Sequence, residues 1–242
     1  MKTVRIYEPG SYEPGQTIAL SESASQHIGL VLRMKPTETI CLFRGDNREF
    51  SAQIMAVHKR AVSVHIDSMQ PITRESPRPI HLAQALSKGD RMEWVIQKSV
   101  ELGVTCITPI LSARCVVRLD NDRSLKKIAQ WTAIAIAACE QSGRNVIPLI
   151  RPIINLPLYL QQCHAPTKLL LHPSTQNNLR TYTLPPGEIS LLIGPEGGFQ
   201  EEEVALTTQT GFQPLTLGPR ILRTETAAIA AISLLQGLFG DL

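Results

Sequence analysis

Two short apolar runs in the C-terminal third of the chain each end abruptly at a Gly-Pro pair. Residues 189–193 (ISLLI) lead into GPEGG at 194–198, and residues 214–217 (PLTL) lead into Gly218-Pro219. A five-residue run that is almost wholly apolar suits a strand covered on both faces, and glycine permits positive φ angles and close backbone approach. Helical patterns follow both turns, so the sequence predicts a ligand cleft at the carboxyl ends of these strands.

The helix predicted after the second turn covers residues 224–239 (TETAAIAAISLLQGLF). Thr224 or Thr226 is expected to supply its N-terminal cap. The helix is apolar on more than one face, and a helix of that kind must be covered all round. Burial within the chain and pairing of two chains in a homodimer are the two arrangements that would cover it.

The remainder of residues 73–242 alternates strand and helix patterns. Strands are expected at 80–86, 104–110, 146–150, 168–172 and 189–193, with helices between 88 and 103 and over 122–142, where Leu125, Ile128, Thr132, Ala135 and Cys139 share one face and Asp122 is the cap. This alternation predicts an α/β domain with a mainly parallel sheet and helices on both faces.

Residues 3–70 show a different pattern of short β-rich runs. Strands are expected at 3–7, 16–20, 39–43, 50–57 and 61–66, with one helix at 23–33, which suggests a small barrel. A segment with three prolines and no periodicity, MQPITRESPRP at 69–79, suits a connection between domains. The predicted domains are therefore residues 1–72 and 73–242.

Several classes of protein are disfavoured by what the sequence lacks. The five cysteines are scattered, odd in number and without a Cys-x-x-Cys pair, which argues for buried reduced thiols and against disulfides or structural zinc. No Gly-x-Gly, Walker-type loop, zinc-deaminase signature or Gly-x-Ser-x-Gly is present. The sequence therefore lacks the usual motifs for binding NAD or ATP, for a zinc deaminase and for a serine nucleophile. A signal peptide and a run of eighteen apolar residues are also missing, and a cytoplasmic protein is expected.

The two turns together carry a resemblance to a known family. GPEGGF followed by LGPRILRTETA, with LAQALSKGDRMEWVIQKSVELGV at 82–104, RCVVRL at 114–119 and CEQSGRNVIP at 139–148, resembles the SPOUT methyltransferases and in particular the RsmE family. That family methylates N3 of a uridine in 16S ribosomal RNA of the small ribosomal subunit. Its members commonly carry a His-His pair where this chain has Gln26-His27, so a role that needs both histidines is not carried over.

The resemblance implies a fold and a cofactor. The C-terminal domain is expected to contain a trefoil knot and to pair as a homodimer, and the N-terminal domain is expected to be a PUA-like β-barrel that binds RNA. S-adenosyl-L-methionine is the implied cofactor, with no metal. The cofactor-binding residues carried over are Leu171, His172, Ile193, Gly194, Pro195, Glu196, Gly198, Leu217, Gly218, Ile221, Leu222 and Thr224. Glu196 could instead cap the helix that follows it.

The reaction needs a group that handles the N3 proton. A carboxylate could accept it, or an arginine could stabilise the charge that develops on the base. The catalytic candidates are Arg223, Glu225, Glu140 and Arg144. The alternative for each is an ordinary ion pair, for example Arg223 with Glu225 or Arg144 with Glu140.

Positive charge is concentrated in the middle of the chain, where residues 76–151 carry a surplus of five. The candidate phosphate contacts there are Arg114, Arg118, Arg123, Lys126, Lys127 and Arg144, although a solvated surface would look the same. The RNA-binding candidates are His27, Arg33, Arg114 and Arg118. For His27 a partly buried structural role is the favoured interpretation, because a single histidine has no specific chemistry.

Two other functions are compatible with this sequence. A SPOUT methyltransferase could act on another RNA position, such as a ribose 2′-hydroxyl of transfer RNA, although EQSGRN and LGPRILRTETA argue against it. The chain could also be a non-catalytic RNA-binding assembly factor, which the intact glycines of both turns disfavour.

Overall fold

The structure is a computed structural model that describes residues 3–58, 61–115, 120–173, 175, 177, 179 and 183–242. The chain forms two compact units. One unit comprises Met1–Glu75 together with Cys139–Ile147, and the other comprises Ser76–Ala138 together with Pro148–Leu242.

The N-terminal unit is built mainly from strands. They are β1 (Val4–Tyr7), β2 (Thr17–Ala19), β3 (Thr39–Phe43), β4 (Arg48–His58) and β5 (Ala61–Pro71). In the described part of this unit they form a five-stranded sheet in the order β1-β3-β4-β5-β2, in which β1 and β3 are parallel and the other pairs antiparallel. Ile28, Ile40, Phe50 and Val64 are among the buried side chains of its core. All five predicted strands are present, with β4 and β5 longer than expected.

The single helix predicted over residues 23–33 is divided. It consists of α1 (Glu22–Gln26), capped by the Ser21 side chain, followed by a π-helical turn (His27–Val31). Arg33, just beyond this turn, has a φ of 53° in the left-handed region. An interrupted helix followed by a left-handed residue is therefore found where the sequence predicted a regular helix.

Residues 139–147 join the N-terminal unit through hydrogen bonds that their sequence did not signal. Arg5 Nη2 donates to Asn145 Oδ1 at 2.6 Å, and Asn145 Nδ2 donates to the carbonyl of Ile72 at 2.7 Å. The backbone N–H of Tyr7 donates to Glu140 Oε1 at 2.9 Å. The chain therefore returns to its N-terminal unit midway through the domain predicted as residues 73–242.

The C-terminal unit contains a parallel sheet. Its strands are β6 (Ile80–Ala85), β7 (Cys106–Leu111), β8 (Leu149–Ile150), β9 (Ile154–Asn155), β10 (Thr167–Leu171), β11 (Ile189–Ile193) and β12 (Gln213–Leu215). Among the described residues the order is β12-β10-β11-β6-β7-β8, with β9 also paired to β7, and every pair is parallel. Every residue of β6 and β11 is buried, as expected for central strands covered on both faces. The α/β class with a mainly parallel sheet is confirmed.

The helices that belong wholly or mostly to this unit are α2 (Arg91–Glu101), α3 (Asn121–Ser142), α4 (Leu156–Gln162), α5 (Glu201–Gln209) and α6 (Thr224–Phe239). The predicted cap of α3 is wrong, because Asp120 rather than Asp122 accepts the Arg123 N–H at 2.8 Å. Leu125 is exposed, so the predicted apolar face of α3 does not include its first turn. No helix in the described ranges is long and apolar enough to cross a membrane. All five cysteines are free, and Cys106, Cys139 and Cys163 are buried.

Candidate functional site

A cavity of about 630 Å³ lies at the carboxyl ends of β10, β11 and β12. Because the strands are parallel, their ends meet at one edge of the sheet, and the residues that follow each strand line the cavity together. Leu171 and His172 come from the end of β10, Ile193 and the 194–199 turn from β11, and Thr216 and Leu217 from β12. This is the cleft that the two Gly-Pro turns predict.

Glycines shape the first turn in two ways. Gly198 has a φ of +68°, which side chains rarely adopt, and a Cβ placed on it would meet no atom within 4 Å. At Gly194 a Cβ would lie 3.2 Å from two atoms of the Phe199 ring, so the ring closes over bare backbone there. The absence of side chains therefore permits the backbone conformation at Gly198 and the close packing of Phe199 at Gly194.

Glu196 ties the first turn to the start of α2. Its Oε1 accepts hydrogen bonds from Arg91 Nη1 at 2.6 Å and from the Lys88 N–H at 3.2 Å. Partial burial alone would raise the pKa of Glu196, but these bonds and one from its own backbone N–H outweigh burial and lower the pKa. The side chain is therefore a carboxylate that braces the turn. The suggestion that it caps the next helix is wrong, since Gln200 is the N-cap of α5.

A second brace involves residues 111–115. Arg114 Nη1 donates to the carbonyl of Gly197 at 2.8 Å, and Glu203 accepts the Ala113 N–H at 2.8 Å. Glu203 also accepts the N–H of Gln200 at 2.9 Å. The turn is therefore fixed from both sides by charged side chains, which pre-organises its backbone.

The second turn leads into α6. The N-cap residue of α6 is Arg223, whose side chain makes no capping hydrogen bond. The expected capping by Thr224 or Thr226 is therefore wrong. Thr224 Oγ1 instead donates to the carbonyl of Gly194 at 2.6 Å and joins the two turns. Within the described ranges, no acidic side chain lies within 4.0 Å of Arg223, and the ion pair of Glu225 is with Arg91 Nε at 3.8 Å.

The structure brings nearly all of the predicted cofactor-binding residues together. The cavity is lined by Leu171, His172, Ile193, Gly194, Pro195, Glu196, Gly198, Leu217, Ile221, Leu222 and Thr224, while Gly218 lies in the second turn without lining it. The lining residues that the sequence did not single out are Arg91, Pro173, Gly197, Phe199, Thr216, Arg220 and Ala227. Of these, Arg91 lies within residues 82–104, one of the segments that resemble the RsmE family. That resemblance was the signal in the sequence that could have identified Arg91 as a cavity residue.

The four catalytic candidates are divided between the two units. Arg223 lines the cavity of the C-terminal unit, and Glu225 follows it by two residues. Glu140 and Arg144 belong to the N-terminal unit. The Arg144 side chain is only 3% exposed and pairs with Glu75, to which its Nε donates at 3.0 Å. Arg144 is therefore excluded as a phosphate contact, and its carboxylate partner is Glu75 rather than the suggested Glu140.

The RNA-binding candidates have different environments. His27 is exposed at the start of the π-helical turn, so the interpretation of a partly buried structural histidine is wrong. Arg33 is exposed as well, whereas Arg114 lines the cavity. Arg118 lies outside the described residues. Of the other basic candidates, Arg123 pairs with Asp120 and Lys127 with Glu93.

Acidic, histidine and cysteine side chains do not gather into a group of three or more that could hold a metal ion anywhere in the described ranges. The cavity therefore offers backbone, apolar walls and arginines to a ligand. Its arginines are Arg91, Arg114, Arg220 and Arg223.

Comparison with known proteins gives consistent matches. A family described as RNA methyltransferase domain matches residues 74–236. Ribosomal RNA small subunit methyltransferase E of Buchnera aphidicola (subsp. Schizaphis graminum) is 41% identical over 98% of this chain and 97% of its own length. The protein of that name in Bacillus subtilis is 35% identical, covering 91% of this chain and 90% of its own.

Solved structures agree along the whole chain. A proposed methyltransferase of Legionella pneumophila, in complex with the cofactor SAM, is 53% identical with a TM-score of 0.98 and covers 100% of both chains. Ribosomal RNA small subunit methyltransferase E of Neisseria gonorrhoeae, bound to S-adenosyl methionine, is 41% identical with a TM-score of 0.93 and covers 99% of both. With this cleft and these matches, the chain belongs to the RNA methyltransferase family that includes ribosomal RNA small subunit methyltransferase E.

Proposed function

We propose that this protein transfers a methyl group from S-adenosyl-L-methionine to N3 of a uridine in 16S ribosomal RNA of the small ribosomal subunit. The observation that carries the proposal is the cavity built by the two Gly-Pro turns, in a chain that is 53% and 41% identical to proteins whose structures hold this cofactor. Such a substrate places the reaction in the cytoplasm, where ribosomal subunits are assembled.

The residues of the cavity fit the cofactor. A volume of about 630 Å³ is in the range of roughly 300–1,000 Å³ that ligand pockets occupy. Leu171, Ile193, Leu217 and Leu222 supply apolar walls that suit a purine ring. Gly197 and Gly198 line the cavity and carry no side chains, so a ligand can approach their backbone closely. Bound S-adenosylmethionine supplies an activated methyl group on its sulfonium, so no metal is needed.

The chain must then orient the uracil and handle its N3 proton. Arg223 lines the cavity and is available to stabilise negative charge on the base, since no described acidic group lies within 4.0 Å of it. Glu225 Oε2 is buried and has no hydrogen-bond partner among the residues that the structure describes, which favours it as the proton acceptor. Glu140 is the weaker candidate, because its Oε1 already accepts the N–H of Tyr7.

The test of this function combines binding with mapping of the product. Isothermal titration should show micromolar binding of S-adenosylmethionine. Small-subunit ribosomal RNA from cells that lack the protein should gain one methyl group when it is incubated with the purified protein and S-adenosylmethionine. Mass mapping of nuclease fragments should place that methyl on the base of one uridine. Methylation of a ribose instead would refute the N3 assignment, and absence of cofactor binding would leave only a non-catalytic RNA-binding factor.

We propose that the active form is a homodimer that pairs through α6. One face of α6 is buried in its own unit through Ala228, Ile232 and Leu235, but Leu234 and Leu238 remain 45% and 49% exposed. These two leucines lie four residues apart on one face, where a second copy would cover them. Light scattering should give twice 26.7 kDa at micromolar concentration. Leu234→Glu combined with Leu238→Glu should give the monomer mass, and a monomeric parent protein would contradict the proposal.

We propose two domains with separate tasks, residues 1–72 for RNA binding and residues 73–242 for methyl transfer. The finer architecture proposed for them is a PUA-like β-barrel and a SPOUT domain with a trefoil knot. The five-stranded mixed sheet of the N-terminal unit and the parallel sheet of the C-terminal unit support this division. His27 and Arg33 are exposed and are the proposed RNA contacts of the first domain.

A further inference from the structure

A fully buried glutamine lies in the middle of the parallel sheet. Gln84 is in β6, a strand of otherwise mostly apolar residues, and no part of it reaches solvent. Its partner in the sheet register is Ile193, the residue directly before Gly194 of the first turn. A polar side chain is costly at such a position unless it is hydrogen-bonded, so the contacts of its amide indicate what it does there.

The hydrogen bonds of Gln84 fix the direction of its amide. Its Nε2 donates to the carbonyl of Ala85 at 3.1 Å and to Thr224 Oγ1 at 2.9 Å. Thr224 Oγ1 in turn donates its single proton to the carbonyl of Gly194 at 2.6 Å. Because a carbonyl can only accept, the threonine hydroxyl must receive its second bond from a donor, and only the NH₂ side of the Gln84 amide can provide it.

This orientation has a cost. Gln84 Oε1 is left buried without a hydrogen-bond partner among the described residues. A buried acceptor in that state is destabilising, and reversing the amide would not help, because the oxygen would then face the Ala85 carbonyl. The Thr224 hydroxyl therefore has both its donor and its acceptor bonds, while Gln84 Oε1 has none among the described residues.

We infer that Gln84 is a positioning residue for the cofactor cleft, acting through Thr224 to hold the two Gly-Pro turns together. The chain of bonds runs from the central strand β6 to the start of α6 and on to the end of β11. Both Thr224 and Gly194 line the cavity, whereas Gln84 does not. This inference rests on the proposed function, since it assigns Gln84 to the binding of S-adenosylmethionine.

The first experiment measures cofactor affinity by titration calorimetry. Gln84→Met keeps the length of the side chain but removes the donor, and it should raise the dissociation constant for S-adenosylmethionine by roughly 5- to 30-fold, as expected for one lost orienting hydrogen bond. Thr224→Val should weaken binding at least as much. The double variant should bind no more weakly than Thr224→Val alone, because residues that act through one another are not additive.

Ser190→Ala is the matched control. Ser190 is also fully buried, lies on the neighbouring strand β11 and bonds to Tyr159 Oη at 2.6 Å, away from the cavity. Its loss should lower the melting temperature and leave cofactor affinity unchanged. In hydrogen exchange without cofactor, Gln84→Met should accelerate exchange of the 194–198 amides, and Ser190→Ala should not.

The outcomes separate the inference from the proposed function. If the parent protein does not bind S-adenosylmethionine, the proposed function fails. If the parent binds and Gln84→Met binds equally well, the function stands and the positioning role is refuted. Additive losses in the double variant would also overturn it, because Gln84 would then act independently of Thr224.

Discussion

Replacing Gly218 by valine is expected to remove measurable S-adenosylmethionine binding while the protein stays folded. Gly218 has a φ of +126°, a conformation that a β-branched residue adopts only under strain. The turn is closed by the Thr216 side chain, which donates to the carbonyl of Gly218 at 3.1 Å. Valine would relieve its strain by rotating this peptide, and the 220–222 segment that lines the cavity would move with it. We expect calorimetry to show an affinity lower by about 100-fold or more.

Gly211→Val separates this effect from general strain. Gly211 has a φ of +91°, and, as at Gly218, an added Cβ would meet nothing within 4 Å. It lies between α5 and β12 and does not line the cavity. Both variants should therefore lose thermal stability, but only Gly218→Val should lose cofactor binding. Unchanged affinity in a folded Gly218→Val protein would show that the second turn does not shape the site.

The parts of the site that could be predicted from the sequence are those set by local chemistry. The run at Ile189–Ile193 is apolar except for Ser190 and is followed at once by Gly194, and both features are visible without knowing what lies beside them. The same holds for α6, whose bounds of Thr224–Phe239 match the expectation. Since parallel strands end at one edge, two such turns were enough to predict a cleft.

Long-range partners could not be predicted in this way. Arg91 reaches the cavity because β6 lies beside β11, which follows it by more than a hundred residues, and pattern alone does not fix that strand order. The pair of Arg144 with Glu75 was likewise not predictable, because 69 residues separate the two in the sequence. Thr224 was predicted as a helix cap because threonine commonly has that role. Its hydroxyl instead donates a hydrogen bond to the carbonyl of Gly194, which is 30 residues away in the sequence.

Replacing Arg223 by alanine is expected to slow methyl transfer with RNA and cofactor both saturating. Arg223 lines the cavity, and no acidic side chain in the described part of the chain lies within 4.0 Å of it. An unpaired cation there can stabilise the charge that develops on the uracil as N3 loses its proton. Loss of one such group typically costs about 10²–10³-fold in rate, so single-turnover methylation should fall by roughly that factor. The dissociation constants for RNA and S-adenosylmethionine should change little.

Arg220→Ala is the matched comparison, because Arg220 is exposed, lines the same cavity and lies in the same segment. If Arg220 meets a phosphate, its loss should weaken RNA binding and reduce the slope of affinity against salt by about one contact, with the rate at saturation preserved. The suggested ion pair of Arg223 with Glu225 predicts a different result, namely lower stability without a specific effect on the transfer step. Glu225 has Arg91 at 3.8 Å as its ion-pair partner, which argues against that alternative. Methyl transfer at the parental rate by Arg223→Ala would end the catalytic assignment and leave Arg91 and Glu225 as the charged groups to test.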